Sequence, residues 1–358
     1  MPPSTFSPRD GRCWRVGILG LGHWYSAFGL ARGIRELPHA ALAAVAWHDR
    51  AQLEAFATTF GVPAHASYEA VLDDPAIDIA FIASPVSELP DLAIRAAEAG
   101  KHLVIGKPMA MTIADADRMV AAIERAGVLC VPFQSIGRLR VASVKERIDR
   151  GDIGDLRLLH QTARWSIAED WIASGRPGWF ADPRHVPGGA LIDEGIYAMD
   201  LFRWLSGSDV VEVTAHIDNL VHVELPVEDW GMAFFTFANG VRATLEASWT
   251  ITAPRPTAPS PKQNAVVRLE CVGTKGEIHD QFFRDPGRAI LAAGAGGWVF
   301  ERTAGDLMAP SPAAPLDHLI ACLETGQTPI ATVHDARASF AMAMAAYQSA
   351  REGRAMTL

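Results

Sequence analysis

Short apolar runs alternate with helical patterns along the first third of the chain. Apolar residues recur at the spacing of an amphipathic helix over residues 88–99 and 113–126. The apolar runs around them predict strands at residues 14–19, 42–47, 77–83, 102–105 and 128–131. Because strands that alternate with helices pair in parallel, we expect an α/β fold with helices on both faces of the sheet. Thr112, followed three residues later by Asp115, predicts a capped start for the second helix.

The pattern changes after Gln134, where long strand-like runs replace the alternation. A helix is predicted over residues 191–205, and two more over 316–324 and 335–353. Strands are predicted at residues 210–217, 230–237, 241–251, 265–272, 276–283 and 298–302. Asn239-Gly240 between two of these runs is typical of a two-residue hairpin, so we expect an α+β domain with a large, mostly antiparallel open sheet. The Pro-rich residues 253–263 are predicted to form a loop within that domain.

Length and composition are those of a folded protein with two domains. The chain has 358 residues, of which 49% are hydrophobic and 20% charged. We expect a flexible tail over residues 1–13, a dinucleotide-binding domain over 14–134, and a substrate-binding and oligomerisation domain over 135–358.

Charge, apolar runs and cysteines argue against several classes of protein. A net charge of −9, without a Lys/Arg run, opposes binding to nucleic acid. No run of 18 apolar residues predicts a membrane span, and the first residues do not resemble a signal peptide. The four cysteines are far apart and lack metal-ligand spacing. We therefore expect reduced thiols, no metal site, a cytoplasmic location and a small-molecule substrate.

A glycine turn follows the first predicted strand and precedes a helical pattern. Gly20 and Gly22 allow a tight turn in which backbone N–H groups approach a pyrophosphate at a helix N-terminus, with His23 and Trp24 next in the chain. Tyr25 stands where the G-x-G-x-x-G fingerprint has its third glycine. An ordinary βα turn is the alternative. Together with the surrounding β-α-β pattern, the turn predicts a Rossmann dinucleotide-binding domain.

The end of the second predicted strand leaves the choice between NAD and NADP open. An acidic side chain at this position binds the ribose hydroxyls of NAD, whereas a small or basic one accommodates a 2′-phosphate. The sequence here is Trp47-His48-Asp49-Arg50, and the usual acidic position falls on Trp47. Asp49 and Arg50 are alternatively a solvated charge pair.

The helix predicted over residues 191–205 carries three polar side chains on one face. Asp193, Tyr197 and Asp200 have the spacing i, i+4 and i+7 in an otherwise apolar helix. A polar stripe of this kind is unusual for core packing. The alternatives are a core tyrosine with a satisfied hydroxyl and an aspartate that favours the helix dipole.

Three segments resemble the glucose-fructose oxidoreductase, inositol dehydrogenase and rhizopine-catabolism (Gfo/Idh/MocA) family: residues 16–22, 99–108 and 188–200. The likeness extends over nearly the whole chain. The family's E-K-P motif reads Gly106-Lys107-Pro108, and Leu89 replaces a His that is common in the family. The D-x-G-x-H motif ends in Tyr197 instead of His, as in the glucose-fructose oxidoreductase, xylose dehydrogenase and dihydrodiol dehydrogenase branches.

The resemblance implies an NAD(P)-dependent oxidoreductase that transfers a hydride to or from a sugar, polyol or related cyclic compound. It implies that Lys107 and Tyr197 meet in a cleft between domains, where the ammonium stabilises the phenolate and Asp193 orients Lys107. The cofactor-binding residues would be Gly20, Gly22, His23, Trp24, Trp47, His48, Asp49, Ser84, Pro85 and Lys107. The substrate-binding residues would be Gln134, Trp165, Arg184, His185 and Tyr197, although loop packing and rim charge are alternatives for several of them.

Two other functions fit the same scaffold. One is a glycosidase that uses bound NAD transiently, and the other is a cofactor-sensing binding protein without catalysis. Lys107, Asp193 and Tyr197 argue against the sensor, which needs no acid–base groups. Exposed sheet faces often pair, so we also expect a homo-oligomer, either a dimer or a tetramer.

Overall fold

The computed structural model describes residues 12–167, 178–251, 265–282, 287–302 and 311–358. The chain divides into two units, one from Met1–Ile136 and Pro310–Arg337 and the other from Gly137–Ala309 and Ala338–Leu358. Most of the predicted tail and the predicted loop at 253–263 lie outside the described residues.

The first unit is built on a parallel sheet of six strands in the order β3-β2-β1-β4-β5-β6. The strands are β1 (Trp14–Leu19), β2 (Ala40–Ala46), β3 (Ala64–His65), β4 (Ile79–Ile82), β5 (His102–Ile105) and β6 (Cys130–Pro132). This order is that of a doubly wound Rossmann sheet, so the predicted fold class is confirmed. The sequence pattern missed only β3 among these six, since two residues are too few to show a period.

Helices connect the strands of the first unit. They are α1 (Trp24–Ile34), α2 (Arg50–Phe60), α3 (Glu69–Leu72), α4 (Leu89–Glu98), α5 (Ile113–Ala126) and α6 (Ser135–Arg140), the last of which continues into the second unit. The predicted cap of α5 is present, because the Asp115 backbone N–H donates to Thr112 Oγ1 over 3.1 Å. No helix among the described residues is long and apolar enough to cross a bilayer.

A helix from near the end of the chain completes the first core. The apolar face of α9 (Ala314–Thr325) places Leu316, Leu319 and Ile320 in the same hydrophobic cluster as β1 and β4. Trp14 Nε1 also donates to Glu324 over 2.8 Å. Residues 310–337 therefore belong to the first unit, whereas the predicted boundary assigns them to the second. Burial of this helix face is the physical reason for the difference.

The second unit contains a sheet of nine strands in the order β14-β13-β12-β11-β7-β10-β9-β8-β15. The strands are β7 (Leu156–Arg164), β8 (Val210–Asp218), β9 (Trp230–Phe237), β10 (Arg242–Ser248), β11 (Val266–Gly273), β12 (Glu277–Phe282), β13 (Gly287–Leu291), β14 (Val299–Arg302) and β15 (Met356–Thr357). Among the described strands of this second sheet, only the pair β7 and β10 is parallel. β9 and β10 pair in antiparallel register around Asn239-Gly240, as predicted, with Gly240 at φ +90°.

Besides the end of α6, three helices in the described part of the chain accompany this sheet. α8 (Ala190–Ser206) packs on β7, β9 and β10, and it matches the helix predicted from the sequence. The others are α7 (Ala142–Asp149) and α10 (Val333–Glu352). Phe340, Ala343 and Ala346 of α10 are fully buried, so the helix contributes a whole face to the core.

Candidate functional site

The two glycines after β1 lie against the turn after β4. A Cβ atom on Gly20, whose φ is +92°, would lie 2.7 Å from the Ser84 backbone N. A Cβ on Gly22 would lie 2.9 Å from Pro85 Cδ. No side chain fits at either glycine without moving backbone or a proline ring. Four of the predicted cofactor-binding residues are thus brought together at one end of the sheet.

These turns lie where a dinucleotide binds in this type of fold. β1 and β4 are neighbours at the point where the strand order reverses, and ligands bind outside the carboxyl ends of such strands. α1 begins at Trp24, directly after the glycine turn, so its N-terminus favours an anionic group. The narrow glycine cradle and the helix start both fit the pyrophosphate of NAD.

The end of β2 presents different groups from those of a typical NAD site. Trp47 is buried, and its Nε1–H donates to Gln52 Oε1 over 2.9 Å. His48 is exposed and stacks on Trp47 with 3.9 Å between ring centroids. Asp49 is exposed and caps α2, because Oδ1 accepts a hydrogen bond from the Gln52 backbone N–H over 3.0 Å. His48 therefore presents the exposed ring here, while the Trp47 indole packs in the core.

His23, predicted to bind cofactor, has its imidazole directed into the first unit. The side chain is buried, with Nε2 3.0 Å from the Lys107 carbonyl oxygen and Nδ1 3.1 Å from the Tyr25 hydroxyl. Burial lowers the pKa of His23 well below its ordinary value, and the Lys107 charge lowers it further. The ring is therefore neutral near pH 7.

Lys107 follows β5, and only 3% of it is exposed. The Lys107–Pro108 peptide is cis. A Cβ on the preceding Gly106 would lie 3.1 Å from the Ile82 carbonyl oxygen and 3.5 Å from Leu89 Cδ1. Gly106 and Leu89, two of the departures from the family pattern, are therefore neighbours in the fold.

The start of α8 is anchored by two buried side chains. Glu228 accepts hydrogen bonds from the backbone N–H groups of Gly189 and Leu191, at 2.9 and 3.0 Å. Tyr347 donates to Glu228 over 2.6 Å, and burial beside that carboxylate raises the pKa of the phenol. A Cβ on Gly188 would lie 2.1 Å from the Tyr347 hydroxyl, and one on Gly189 would lie 2.0 Å from the Glu228 carbonyl oxygen. The Gly-Gly pair is therefore needed for this anchor.

The predicted catalytic residues of the second unit follow on α8. Asp193 is buried and accepts a hydrogen bond from Trp249 Nε1 over 3.2 Å. Tyr197 is half-buried one helical turn later. Between them, a Cβ on Gly195 would lie 2.9 Å from Leu245 Cδ2, so the glycine allows close packing of α8 on β10. The anchor, the glycine and the indole together fix the position of this polar face.

Asp200, the third member of the predicted polar face, has a separate partner. It is fully buried, and its carboxylate binds the Arg138 guanidinium. Arg138 is itself buried in this ion pair. Each of the two side chains therefore neutralises the charge of the other in the core.

The predicted substrate residues are in different environments. Arg184 is exposed and forms a local ion pair with Asp182, which lowers the pKa of that carboxyl to about 2. The His185 backbone N–H donates to the Asp182 carbonyl over 2.8 Å, and its side chain is half-buried. Trp165 is half-buried after β7, whereas Gln134 is buried after β6 in the first unit.

Sequence reasoning missed the groups that hold α8 in place. Glu228, Tyr347 and Trp249 lie far along the chain from Asp193, and no local pattern connects them to it. The one signal in the sequence was Gly188-Gly189 before a helix, since paired glycines there indicate a close approach of other groups.

Comparison with protein-family models shows the family to which the chain belongs. Residues 14–133 match the model described as an oxidoreductase family with an NAD-binding Rossmann fold, and residues 141–279 match the GFO/IDH/MocA C-terminal domain. The chain belongs to the GFO/IDH/MocA oxidoreductase family. The resemblance found in the sequence is confirmed, and the first unit of this family member is an NAD-binding Rossmann domain.

Characterised relatives match this family member over almost its whole length. The scyllo-inositol 2-dehydrogenase (NAD(+)) of Bacillus subtilis (strain 168) is 28% identical over 352 residues, which are 96% of each chain. The structure of aldose-aldose oxidoreductase from Caulobacter crescentus, complexed with glycerol, has a TM-score of 0.80 and 27% identity, and the match covers 97% of this chain and 100% of that one. A levoglucosan dehydrogenase in complex with NADH shares the fold, with a TM-score of 0.84, 21% identity, and coverage of 97% and 99%.

Proposed function

We propose that this oxidoreductase is an NAD(P)-dependent dehydrogenase or reductase that acts on a CH–OH group of a sugar, polyol or related cyclic hydroxy or keto compound. The observation that carries the proposal is the position of Lys107. It is a buried lysine two residues after the end of β5, in the same unit as the glycine cradle. The names of the relatives, which are an inositol dehydrogenase and an aldose oxidoreductase, support this substrate class.

The proposal gives each catalytic residue one role. When bound, the nicotinamide supplies the hydride chemistry. Tyr197 exchanges a proton with the substrate oxygen, and the Lys107 ammonium stabilises the phenolate form of that tyrosine and holds the same oxygen. Asp193 orients Lys107. Gln134, Trp165, Arg184 and His185 remain proposed substrate contacts, and the second unit is proposed as the substrate-binding domain.

Substitution of the two acid–base residues tests the mechanism. Tyr197→Phe is expected to lower kcat on the order of a hundredfold, because general acid–base help is lost, while cofactor affinity stays unchanged. Lys107→Met is expected to abolish turnover except for a residual rate that needs a higher pH. The control is Tyr68→Phe, which removes a hydroxyl bonded to Glu88. It should retain full activity.

The readout is the nicotinamide absorbance during turnover of a panel of inositols, aldoses and cyclic diols. Net reduction or oxidation of the cofactor is expected. Hydrolysis of a glycoside without net change in the cofactor would contradict the proposal and indicate a glycosidase that uses NAD transiently. A Tyr197→Phe enzyme with wild-type kcat and an unchanged circular dichroism spectrum would remove Tyr197 from the mechanism and direct attention to His185.

We further propose a homo-oligomer, a dimer or tetramer, in the cytoplasm. Side chains alternate between the faces of a strand, and the face of β9 that carries Phe234 leaves 50% of this residue exposed. Light scattering after size exclusion measures the mass, and a monomer would contradict the assembly.

Free thiols at Cys13, Cys130, Cys271 and Cys322 support a reducing compartment.

A further inference from the structure

His23 links the glycine turn to the backbone of Lys107. It is the residue after Gly22, and only 2% of it is exposed. Its Nε2 lies 3.0 Å from the Lys107 carbonyl oxygen, and its Nδ1 lies 3.1 Å from the Tyr25 hydroxyl. The His23 and Tyr25 rings meet edge to face with 5.3 Å between centroids. All of these contacts lie within the first unit.

The chemistry of these groups sets the direction of both hydrogen bonds. A carbonyl oxygen only accepts, so Nε2 of His23 carries the proton and donates to Lys107. In a neutral ring, Nδ1 is then an acceptor, and the Tyr25 O–H donates to it. Because burial lowers the pKa of His23, the neutral ring that this arrangement needs is the form present near pH 7.

The imidazole lies beside Gly106, and the backbone of His23 makes a further hydrogen bond. A Cβ on Gly106 would lie 3.9 Å from His23 Cδ2, 3.5 Å from Leu89 Cδ1 and 3.1 Å from the Ile82 carbonyl oxygen. The His23 backbone N–H also donates to the Ala83 carbonyl over 2.8 Å. The ring is therefore held from the backbone side as well as through both nitrogens.

We propose that His23 and Tyr25 are positioning residues for Lys107. They tie the carbonyl of Lys107, and with it the start of the lysine side chain, to the turn that carries Gly20 and Gly22. Tyr25 stands at the third position of the dinucleotide fingerprint, so the residue that breaks the fingerprint is the one that completes this link. The inference rests on the proposed role of Lys107 in catalysis.

A pair of substitutions at position 23 separates positioning from packing. His23→Leu keeps an apolar bulk but removes both hydrogen bonds, whereas His23→Gln can donate through its amide nitrogen and accept through its oxygen. We expect His23→Leu to lower kcat about tenfold to a hundredfold, because small displacements of a catalytic group have effects of this size. The pH profile of kcat in His23→Leu should shift to higher pH. The KM for the substrate and the Kd for the cofactor should be nearly unchanged. His23→Gln should restore most of kcat, and Tyr25→Phe should show a smaller loss of the same kind.

The tautomer is a second readout that needs neither cofactor nor activity. ¹⁵N NMR of the histidine side chains in the cofactor-free protein should show that the His23 ring is neutral and protonated at Nε2 near pH 7, as expected for a buried histidine with a lowered pKa. The resonance is assigned by its loss in His23→Gln, and Tyr25→Phe should shift its Nδ1 signal. A ring protonated at Nδ1, or one that titrates like an exposed histidine, would overturn the inference even if the Leu variant does not fold.

The outcomes distinguish this inference from the proposed function. Wild-type kcat in Lys107→Met would show that the proposed mechanism is wrong. An inactive Lys107→Met together with wild-type kcat and pH profile in His23→Leu would leave the mechanism in place and refute the link. Equal losses in the Leu and Gln variants, with equal losses of thermal stability, would show that His23 only packs.

Discussion

Arg138 and Asp200 form a bidentate ion pair in the interior of the second unit. Nε and Nη2 of the arginine each donate to one carboxylate oxygen over 2.7 Å. Only 4% of the arginine side chain and none of the aspartate side chain are exposed. Removing one partner from such a pair leaves a charge buried without compensation.

Asp200→Asn is therefore expected to destabilise the protein by about 3 kcal/mol, near the lower end for a broken buried pair. Chemical denaturation followed by circular dichroism measures the loss. The control is Asp155→Asn, which breaks the exposed pair with Arg157 in the same unit and should cost less than about 1 kcal/mol. Similar losses in both variants would show that burial does not decide the value of the pair.

Gly189→Ala should disrupt the start of α8, because the added Cβ would lie 2.0 Å from the Glu228 carbonyl oxygen. We expect a loss of about 3 kcal/mol, the upper end for overpacking in a core. Gly297→Ala is the matched control in the same unit, since its Cβ would meet nothing within 4 Å. If the free energy of unfolding of Gly189→Ala equalled that of the wild type, the anchoring of this helix by Glu228 would be contradicted.

Two histidines of the first unit accept hydrogen bonds from backbone N–H groups. His102 Nδ1 accepts from Leu129 over 3.0 Å, and His318 Nε2 accepts from Ile330 over 2.7 Å. Burial lowers the pKa of both rings below the ordinary value of 6.5. The unfolded chain therefore binds their protons more tightly than the folded protein does.

The stability from these two rings is fully present above the unfolded pKa and is lost as the pH falls below it. We expect the unfolding midpoint in urea to move to lower concentration between pH 7 and pH 5, with a slope of up to about 1.4 kcal/mol per pH unit for each ring. His318→Gln should reduce this slope. An unchanged slope in His318→Gln would contradict the prediction.

From the side chains at the end of β2, we predict weak discrimination between NAD and NADP. The Trp47 indole nitrogen is engaged by Gln52, and the exposed His48 does not repel a 2′-phosphate. The dissociation constants of NADH and NADPH, measured by calorimetric titration, should agree within about tenfold, or about 1.4 kcal/mol.

Asp49→Ala provides the matching test. Because Asp49 caps α2, its loss should cost about 1 kcal/mol of stability and leave the cofactor preference unchanged. A strong preference for NAD that disappears in Asp49→Ala would show that this carboxylate binds the ribose.

The sequence was sufficient to predict those elements that show a clear hydrophobic periodicity. The alternation of strands and helices predicted the parallel sheet, and the spacing of Asp193 and Tyr197 predicted a shared helix face. β7 was missed, because Leu156–Arg164 mixes apolar and polar residues without a clean period, although it lies in the middle of the second sheet.

Contacts over long chain separations were not predictable in this way. Nothing in the pattern around Asp200 indicates that Arg138, 62 residues earlier, neutralises it. The assignment of α9 to the first unit depends on which core has room for its apolar face, and one sequence does not reveal this. Trp47 shows the same limit, since its burial follows from packing.

The anchoring of α8 by Tyr347 has a consequence for the order of events during synthesis. The Tyr347 hydroxyl accepts a hydrogen bond from the Ile192 backbone N–H, 155 residues earlier in the chain. α9 enters the other core from a similarly late position. A nascent chain has therefore displayed nearly all of its apolar surface at the ribosome before either core can close. Its yield in a cell depends on protection of that surface until α9 and α10 emerge.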